Sequence, residues 1–524
     1  MANKKLLAKL ANAGVIPPGE AVRMADYQSM PRARRRSFAG AQVSNLTHSM
    51  TSTPKPIDVD IRNGLRKLRA RARNEAQNND HVRRFLGLVK TNVVGHQGIV
   101  MQPRIIDPGG KVDVLANEAV LDAWKGWGKK GTCDVTGAFS WRMAQRLFIE
   151  TLARDGEALI RRVRGSNINE YGYALQFLDS EALDVEYNRD GVGGKNTIRM
   201  GVELNEWRRP VAYHISQSSQ TNESYVYMGR RYTRIPADEI FHAFLPEWVW
   251  QTRGFPWISS ALLRLNMLSG YEESELVASR VGAAKMGFFE QKDEAPFDPT
   301  GNVSPMGSGE KDAQGNFVTD AEAGTFEILP EGYSLNTFDP QHPNSAYGEF
   351  VKSCLRGISG GLGVSYNSLA NDLEGVNYSS LRQGALDERA VWMALQDWMV
   401  EVFCEPVFLD WLHTSLLSEA ITVMGKPLPS NRAEKFKRNA WQPRRWQWVD
   451  PQKEMAGHEK AFAHKVRSPQ SVIRDMGEDP DQVLDEWSEW EKKLRDRNLQ
   501  TEPAPPAGSS VTETGKNATK NNQN

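Results

Sequence analysis

Pro256 opens a helical stretch that ends near Lys285, with Ile258, Leu262, Leu265 and Leu268 recurring on one face. Its roughly 28 residues would span about 42 Å, longer than the core of a compact domain. Such an element is a rod, and the chain around it must be built from separate regions. The length, 524 residues, agrees, because single hydrophobic cores stop growing well below that size.

The regions differ in period. Residues 1 to about 56 mix Gly, Pro, Ser, Thr and basic residues without sustained periodicity and are expected to form an arm with at most short helices. From Asn63 to Val94, Leu65, Leu68, Val82, Phe85, Leu86, Val89 and Val93 recur at steps of three and four, interrupted near residues 74–80, which predicts two helices in tandem. Further helices are predicted from Ala116 through Trp124 and Trp127, and from Ser140, a candidate cap, to Arg154. Between Ala158 and Phe244 the pattern turns to β-formers: 158–163, 173–178, 197–204, 210–215 and 225–227, divided by Gly and Asn clusters. One antiparallel sheet on the preceding helices is expected, so the fold class is α+β.

After the rod come extended pieces at 287–290 and 326–335 around a Pro/Gly/Ser/Asp-rich stretch, which together predict a small α/β projection on a flexible loop. A second helix at about 345–358 ends in the run Gly357, Gly360, Gly361 and Gly363. A polar loop then reaches Tyr378, and Ser379 or Ser380 can cap a helix carrying Leu381, Ala385, Trp392, Leu395, Met399 and Val402, which Pro406 should kink or end. Tryptophan-bearing helices close the chain, and the residues beyond Leu499 have nothing to bury.

Formal charge is zero overall, but the first 112 residues hold twenty Lys/Arg against seven Asp/Glu. The basic residues peak at Arg32, Arg34, Arg35 and Arg36, then at Arg62, Arg66, Lys67, Arg69, Arg71 and Arg73. Such runs can bind DNA phosphates by counterion release or dock on an acidic neighbouring subunit. No apolar run is long enough to cross a bilayer and the N-terminus lacks a continuous apolar signal core, so neither export nor membrane insertion is expected. Cys133, Cys354 and Cys404 fit no disulfide framework or zinc spacing, which points to a reducing cytoplasm.

Catalytic signatures fail one by one. Gly191, Gly193, Gly194 and Lys195 lack the upstream Gly and the following Ser/Thr of a phosphate loop and predict a turn instead. His458 and His464 stand six apart, on different helix faces, so no metal is expected. Asp372 and Glu374 have no nucleophile setting beside them. Trp392, Trp398, Trp487 and Trp490 lie at helical spacing that suits core or subunit contacts better than base stacking. No catalytic residue and no cofactor is assigned.

An ordered set of short motifs carries more: Asn78-Asn79 with Arg83-Arg84, then Asn92-Val93-Val94-Gly95; Asp155-Gly156-Glu157; Ile235-Pro236-Ala237-Asp238 with His242; Gln251-Thr252-Arg253-Gly254-Phe255-Pro256-Trp257; Asn377 to Arg382; and Asp450-Pro451. Collinear over roughly residues 60–480, the set resembles the portal proteins of lambda-type tailed bacteriophages. The resemblance implies a non-enzymatic subunit of a homo-oligomeric ring of about twelve copies at one capsid vertex, through which double-stranded DNA is packaged and ejected. It implies a basic arm at 1–75, a wing at 76–256, stem helices at 257–286 and 341–363, and a clip at 287–340. A tunnel loop at 364–378, a long wing helix and link at 379–444, a helical crown at 445–498 and a tail at 499–524 complete it. Asn367, Ser368, Asn371, Asn377 and Tyr378 would then face DNA from the tunnel loop. The implied partners are the terminase large subunit, major capsid and scaffold proteins and head-completion adaptors, in the virion and, during assembly, the host cytoplasm. A packaging ATPase is excluded by the missing phosphate loop. A DNA-binding scaffold or regulator using the arginine-rich arm is the alternative, and it predicts tight binding with a steep salt dependence.

Overall fold

The computed structural model describes residues 2–15, 17, 19–20, 45, 48–216, 231–283, 287–291, 333–337, 346–374, 377–446, 451–476 and 478–497. The chain divides into two units, residues 1–60 and 61–524. Helix α1 (Ala2–Asn12) belongs to the first. Arg32, Arg34, Arg35 and Arg36, the expected strand at 225–227, Asp450 and the tail from 498 lie outside the described residues.

Two helices in tandem form where the periodicity places them: α2 (Ile57–Asn78) and α3 (Asp80–Val89), separated by Asn79 alone. Asn79 caps α3, its Oδ1 accepting from the His81 and Val82 amides, which satisfies two of the donors a helix start leaves free. A π-turn (Lys90–Val94) and β1 (Val100–Pro103) lead into α4 (Val114–Trp127) and α5 (Trp141–Asp155). Ser140 caps α5 as expected, and Gly156, left-handed at φ 88°, stops it.

The β region holds two antiparallel sheets where one was expected. β2 (Ala158–Arg164) is the centre of three strands between β3 (Tyr173–Leu178) and β8 (Ile240–Ala243). The second sheet runs β4 (Thr197–Arg199), β5 (Val202–Leu204), β6 (Pro210–Ser216), β7 (Tyr232–Pro236). The run at 197–204 is a hairpin because Met200 and Gly201 both take positive φ, and a Cβ on Gly201 would crowd Leu183.

The rod is α6 (Leu262–Ala283); the residues from Trp257 to Ala261 are turns, so it is shorter than the pattern suggests. The strands β9 (Gly287–Gln291) and β10 (Tyr333–Thr337) pair antiparallel. Helix α7 (Tyr347–Leu362) returns antiparallel to α6: Ser260 donates to the Gly361 carbonyl at one end, and Tyr271 meets Phe350 and Tyr347 further along. Gly357 and Gly361 do not end this helix but let α6 approach. A Cβ on Gly357 would collide with the Arg264 guanidinium, and Gly363, at φ 68°, makes the stop.

Within the stretch read as a loop, Tyr366–Ala370 forms a short helix, α8. Then α9 (Tyr378–Met399) passes through a π-turn (Val400–Cys404) into α10 (Glu405–Leu417). Pro406 neither ends nor breaks this run. It sits in the first turn of α10, where its missing N–H costs least, and the π-turn absorbs the shift in hydrogen-bond register. A small hairpin, β11 (Thr422–Val423) with β12 (Lys426–Pro427), and the one-turn helix α11 (Ala433–Phe436) follow. β13 (Asn439–Gln442) pairs with β1, and α12 (Pro451–Ala463), α13 (Pro469–Met476) and α14 (Pro480–Asp496) close the described chain.

One large core joins the helices to the three-stranded sheet, while Leu183, Val202, Tyr213 and Ile235 belong to a smaller cluster at the second sheet. Trp124, on α4, stacks on Trp127 with centroids 4.8 Å apart and meets Trp411 of α10 edge-on at 5.0 Å. Phe148 of α5 lies parallel to Phe403 at 4.1 Å. Trp392 and Trp398 also pack here, as their spacing suggests, whereas Trp487 and Trp490 on α14 are 62% and 56% exposed. Truncating Phe148 to Ala empties the centre of this cluster and should lower unfolding free energy by about 3–5 kcal/mol. A reduced denaturant midpoint, followed by tryptophan fluorescence, is the expected signature; an unchanged midpoint refutes the packing role.

Candidate functional site

Three of the motifs converge on one buried carboxylate. Asp155-Gly156-Glu157 joins α5 to β2, His242 stands on β8, and Arg253 lies in the connection toward α6. Glu157 Oε1 accepts from Arg69 Nη2 (3.0 Å), Arg253 Nε bridges both its oxygens (2.9 and 2.8 Å), and His242 Nε2 and the Gly254 amide approach Oε2 at 3.0 and 3.2 Å. Arg253 also donates to the Leu183 and Met200 carbonyls, tying in the second sheet. Beside this, Asp155 takes paired bonds from Arg73 (2.9 and 2.9 Å) and from Arg154 (3.1 and 2.9 Å). Arg69 reaches Glu181 and Arg73 reaches Asp179. Four carboxylates face four guanidinium groups.

Burial opposes charge on Glu157 and Asp155, but the surrounding guanidinium groups win and hold both carboxyls below their usual range, Glu157 far below. The glycines let the chains meet: a Cβ on Gly156 would overlap the Phe255 backbone, and one on Gly254 the Gly156 carbonyl. The arrangement offers no nucleophile and no open site beside a base. It is a structural lock joining α2, both sheets and the root of α6.

The sequence-derived basic residues therefore separate. Arg69 is buried and Arg73 half-buried in this lock, and Arg62 lies 3.5 Å from Glu186. Arg66, Lys67 and Arg71 remain on the exposed side of α2. The signal for Arg69 is its register: Ile61, Leu65, Arg69 and Ala72 form one buried stripe of the helix.

The loop candidates separate too. Asn367 and Ser368 lie in α8, which Ser365 caps; the Ser365 and Ser368 hydroxyls both meet Glu388 Oε2 of α9 at 2.8 Å. Tyr366 donates to Asp372 (2.8 Å), which also accepts the Glu374 amide, a hydrogen-bonded turn and not an acid/base pair. Asn371, left-handed at φ 54°, ends α8; from there Asn371, Leu373, Glu374 and Asn377 are exposed. Tyr378 opens α9, its side chain outside the described set. Among the described residues no cluster of His, Cys, Asp and Glu could hold a metal, and no helix is long and apolar enough to cross a membrane.

Residues 44–396 match the family described as phage portal protein, lambda family. The chain is 34% identical over 483 residues to the probable portal protein of Halomonas phage phiHAP-1, covering 92% of this chain and 90% of that one. It is 22% identical over 426 residues to portal protein B of Escherichia phage lambda, covering 77% and 78%. A chain in the neck of an empty GTA particle aligns with a TM-score of 0.40 at 13% identity, over 84% of this chain and 99% of that one.

Replacing Glu157 by Gln leaves the buried Arg253 without its carboxylate and Arg69 with Glu181 alone, a loss of about 3–5 kcal/mol expected near neutral pH. The folded-state carboxyl titrates below the unfolded one, so the wild-type advantage is fully present above roughly pH 4.3 and is lost as pH falls through the folded value. Denaturant titrations should show the gap between wild type and E157Q constant from pH 8 to 5 and narrowing below; a gap independent of pH contradicts the lock.

Proposed function

The chain belongs to the lambda family of phage portal proteins and is a structural head–tail connector subunit, not an enzyme; from that premise we propose that it closes into a ring of about twelve copies at one vertex of the virion. The observation that carries the reading is the match of residues 44–396, within which Glu157, His242 and Arg253 from three separate motifs meet at one lock. Residues 76–256 form the wing, α6 and α7 the stem, 287–340 the clip and 445–498 the crown. The clip is the docking surface for the terminase large subunit and later for head-completion adaptors; capsid and scaffold proteins surround the ring, which assembles in the host cytoplasm.

A ring needs two different complementary surfaces on each subunit. The exposed Arg66, Lys67 and Arg71 on α2 supply a basic one, and residues 113–524, with 45 Lys/Arg against 58 Asp/Glu, can supply its acidic partner. Double-stranded DNA passes the exposed Asn371 and Asn377, which suit transient contact better than a row of arginines, since phosphate contacts would retain the duplex.

Negative-stain microscopy with native mass measurement should find closed rings with a central hole, and reversing Lys67 and Arg71 to Glu should reduce their yield. Binding of the rings to linear duplex should be weak, with a shallow salt slope. A monomer that persists at high concentration with scaffold protein present, or tight binding that falls steeply with salt, would return the arginine-rich arm and a DNA-binding regulator to the centre.

A further inference from the structure

We infer that α3 is a strut fixing the segment 371–374 to the rod α6, with Asn79 at its start and Arg84 near its middle as positioning residues. The strut is a claim about this chain's geometry; only its consequence for DNA rests on the channel reading above. Asn78-Asn79 and Arg83-Arg84 stand out in the sequence, yet the ionic lock uses neither pair.

At one end Asn79 is nearly fully buried and occupied on both sides of its amide. Its Oδ1 caps α3, and its Nδ2 donates to Ser269 Oγ on α6 at 2.9 Å. A rotation that broke the second bond would also break the cap, so the start of α3 and the rod are held by one side chain. Arg84 lies five residues on, about 7.5 Å along the helix. Its Nε donates to the Ser368 carbonyl at 3.0 Å. That carbonyl lies in the last turn of a five-residue helix, where intrahelical partners run out and partial negative charge accumulates, so a guanidinium is well matched to it.

Along its length α3 cannot slide, because Val82, Phe85, Leu86 and Val89 are buried in the main core. At the far side α8 is held again by Glu388 through Ser365 and Ser368, and by buried Leu369. The exposed segment begins at Asn371, where the backbone turns left-handed. Any shift of the rod at Ser269 is carried through α3 to the base of the exposed segment. Arg84 is itself exposed, so its removal should leave the core intact.

Hydrogen–deuterium exchange on assembled rings tests this directly, comparing wild type with R84A, R84K, S269A and the neighbouring charge control R83A. Exchange across 366–374 should rise roughly five- to tenfold in R84A, return toward wild type in R84K, and stay unchanged in R83A, with β2 and β3 unaffected in all. S269A should raise exchange across 366–374 as well as in α3. Rings of wild-type mass in which R84A leaves 366–374 unchanged overturn the anchoring, and an S269A effect confined to α3 and α6 overturns the strut. If R84A rings fail to assemble, S269A decides alone, since it removes only a surface hydroxyl. A photo-crosslinker at residue 371 separates the two claims: filled heads without DNA cross-links, beside exchange as expected, would discard the channel reading and keep the strut.

Discussion

Everything that gives this subunit a defined shape depends on Glu157 keeping its charge in the interior. A lone buried carboxylate is costly enough to unfold a domain or to pick up a proton. Here Arg69, Arg253 and the Gly254 amide supply donors on nearly every side. The donors come from separate parts of the chain: Arg69 from the first long helix, and Arg253 with the adjacent Gly254 amide from the connection into the rod, while His242 of β8 closes the remaining side. The requirement is mutual, because Arg69 and Arg253 are as deeply buried as the carboxylate. None of these segments can adopt its position without the others, and the direction in which the rod leaves the sheets is thereby set.

Charge and backbone geometry cooperate at this point. The close contact between Gly156 and the chain at Gly254–Phe255 allows no side chain on either glycine, and the Trp257 amide donates to the Ala153 carbonyl immediately beyond. The lock thus ties the end of α5 to the start of the rod through backbone as well as ions. This also explains why Asp155, Gly156 and Glu157 are adjacent. One carboxylate holds Arg73 and Arg154, the next holds Arg69 and Arg253, and the residue between must be small enough for the chains to touch.

Much of the fold was legible in the sequence, in proportion to how far a pattern ran. α5 and β3 emerge within a residue of their predicted limits because a cap and a full stretch of periodic apolar residues mark them. α8 was not legible: five residues make little more than one turn, too few to show a period, and it is held as much by polar contacts of Ser365, Glu388 and Arg84 as by the buried Leu369. The strands β7 and β8 were hidden by their shortness, and the π-turn by its dependence on tertiary packing. The candidate site was the least legible part. A run of arginines on one helix looks like a single surface, yet register divides it, turning Arg69 inward along the Ile61–Leu65 stripe and leaving Arg66, Lys67 and Arg71 outward.

That division changes how the charge asymmetry should be understood. Part of the basic excess of the first 112 residues neutralises carboxylates of the same subunit and is unavailable to any partner. What remains outside is a smaller patch, suited to meeting another protein surface more than to gripping a polyanion, since few phosphates could be neutralised at once. The apolar residues tell the same story. Leu263, Met267 and Val277 follow one another along a face of α6 turned away from its buried leucines, and Trp487 and Trp490 lie open on α14. A soluble monomer gains nothing by exposing tryptophans and a leucine–methionine stripe on its longest helices. A subunit that completes its packing only against copies of itself presents such faces by necessity, which is why the modest exposed charge and the uncovered apolar stripes both fit the proposed ring.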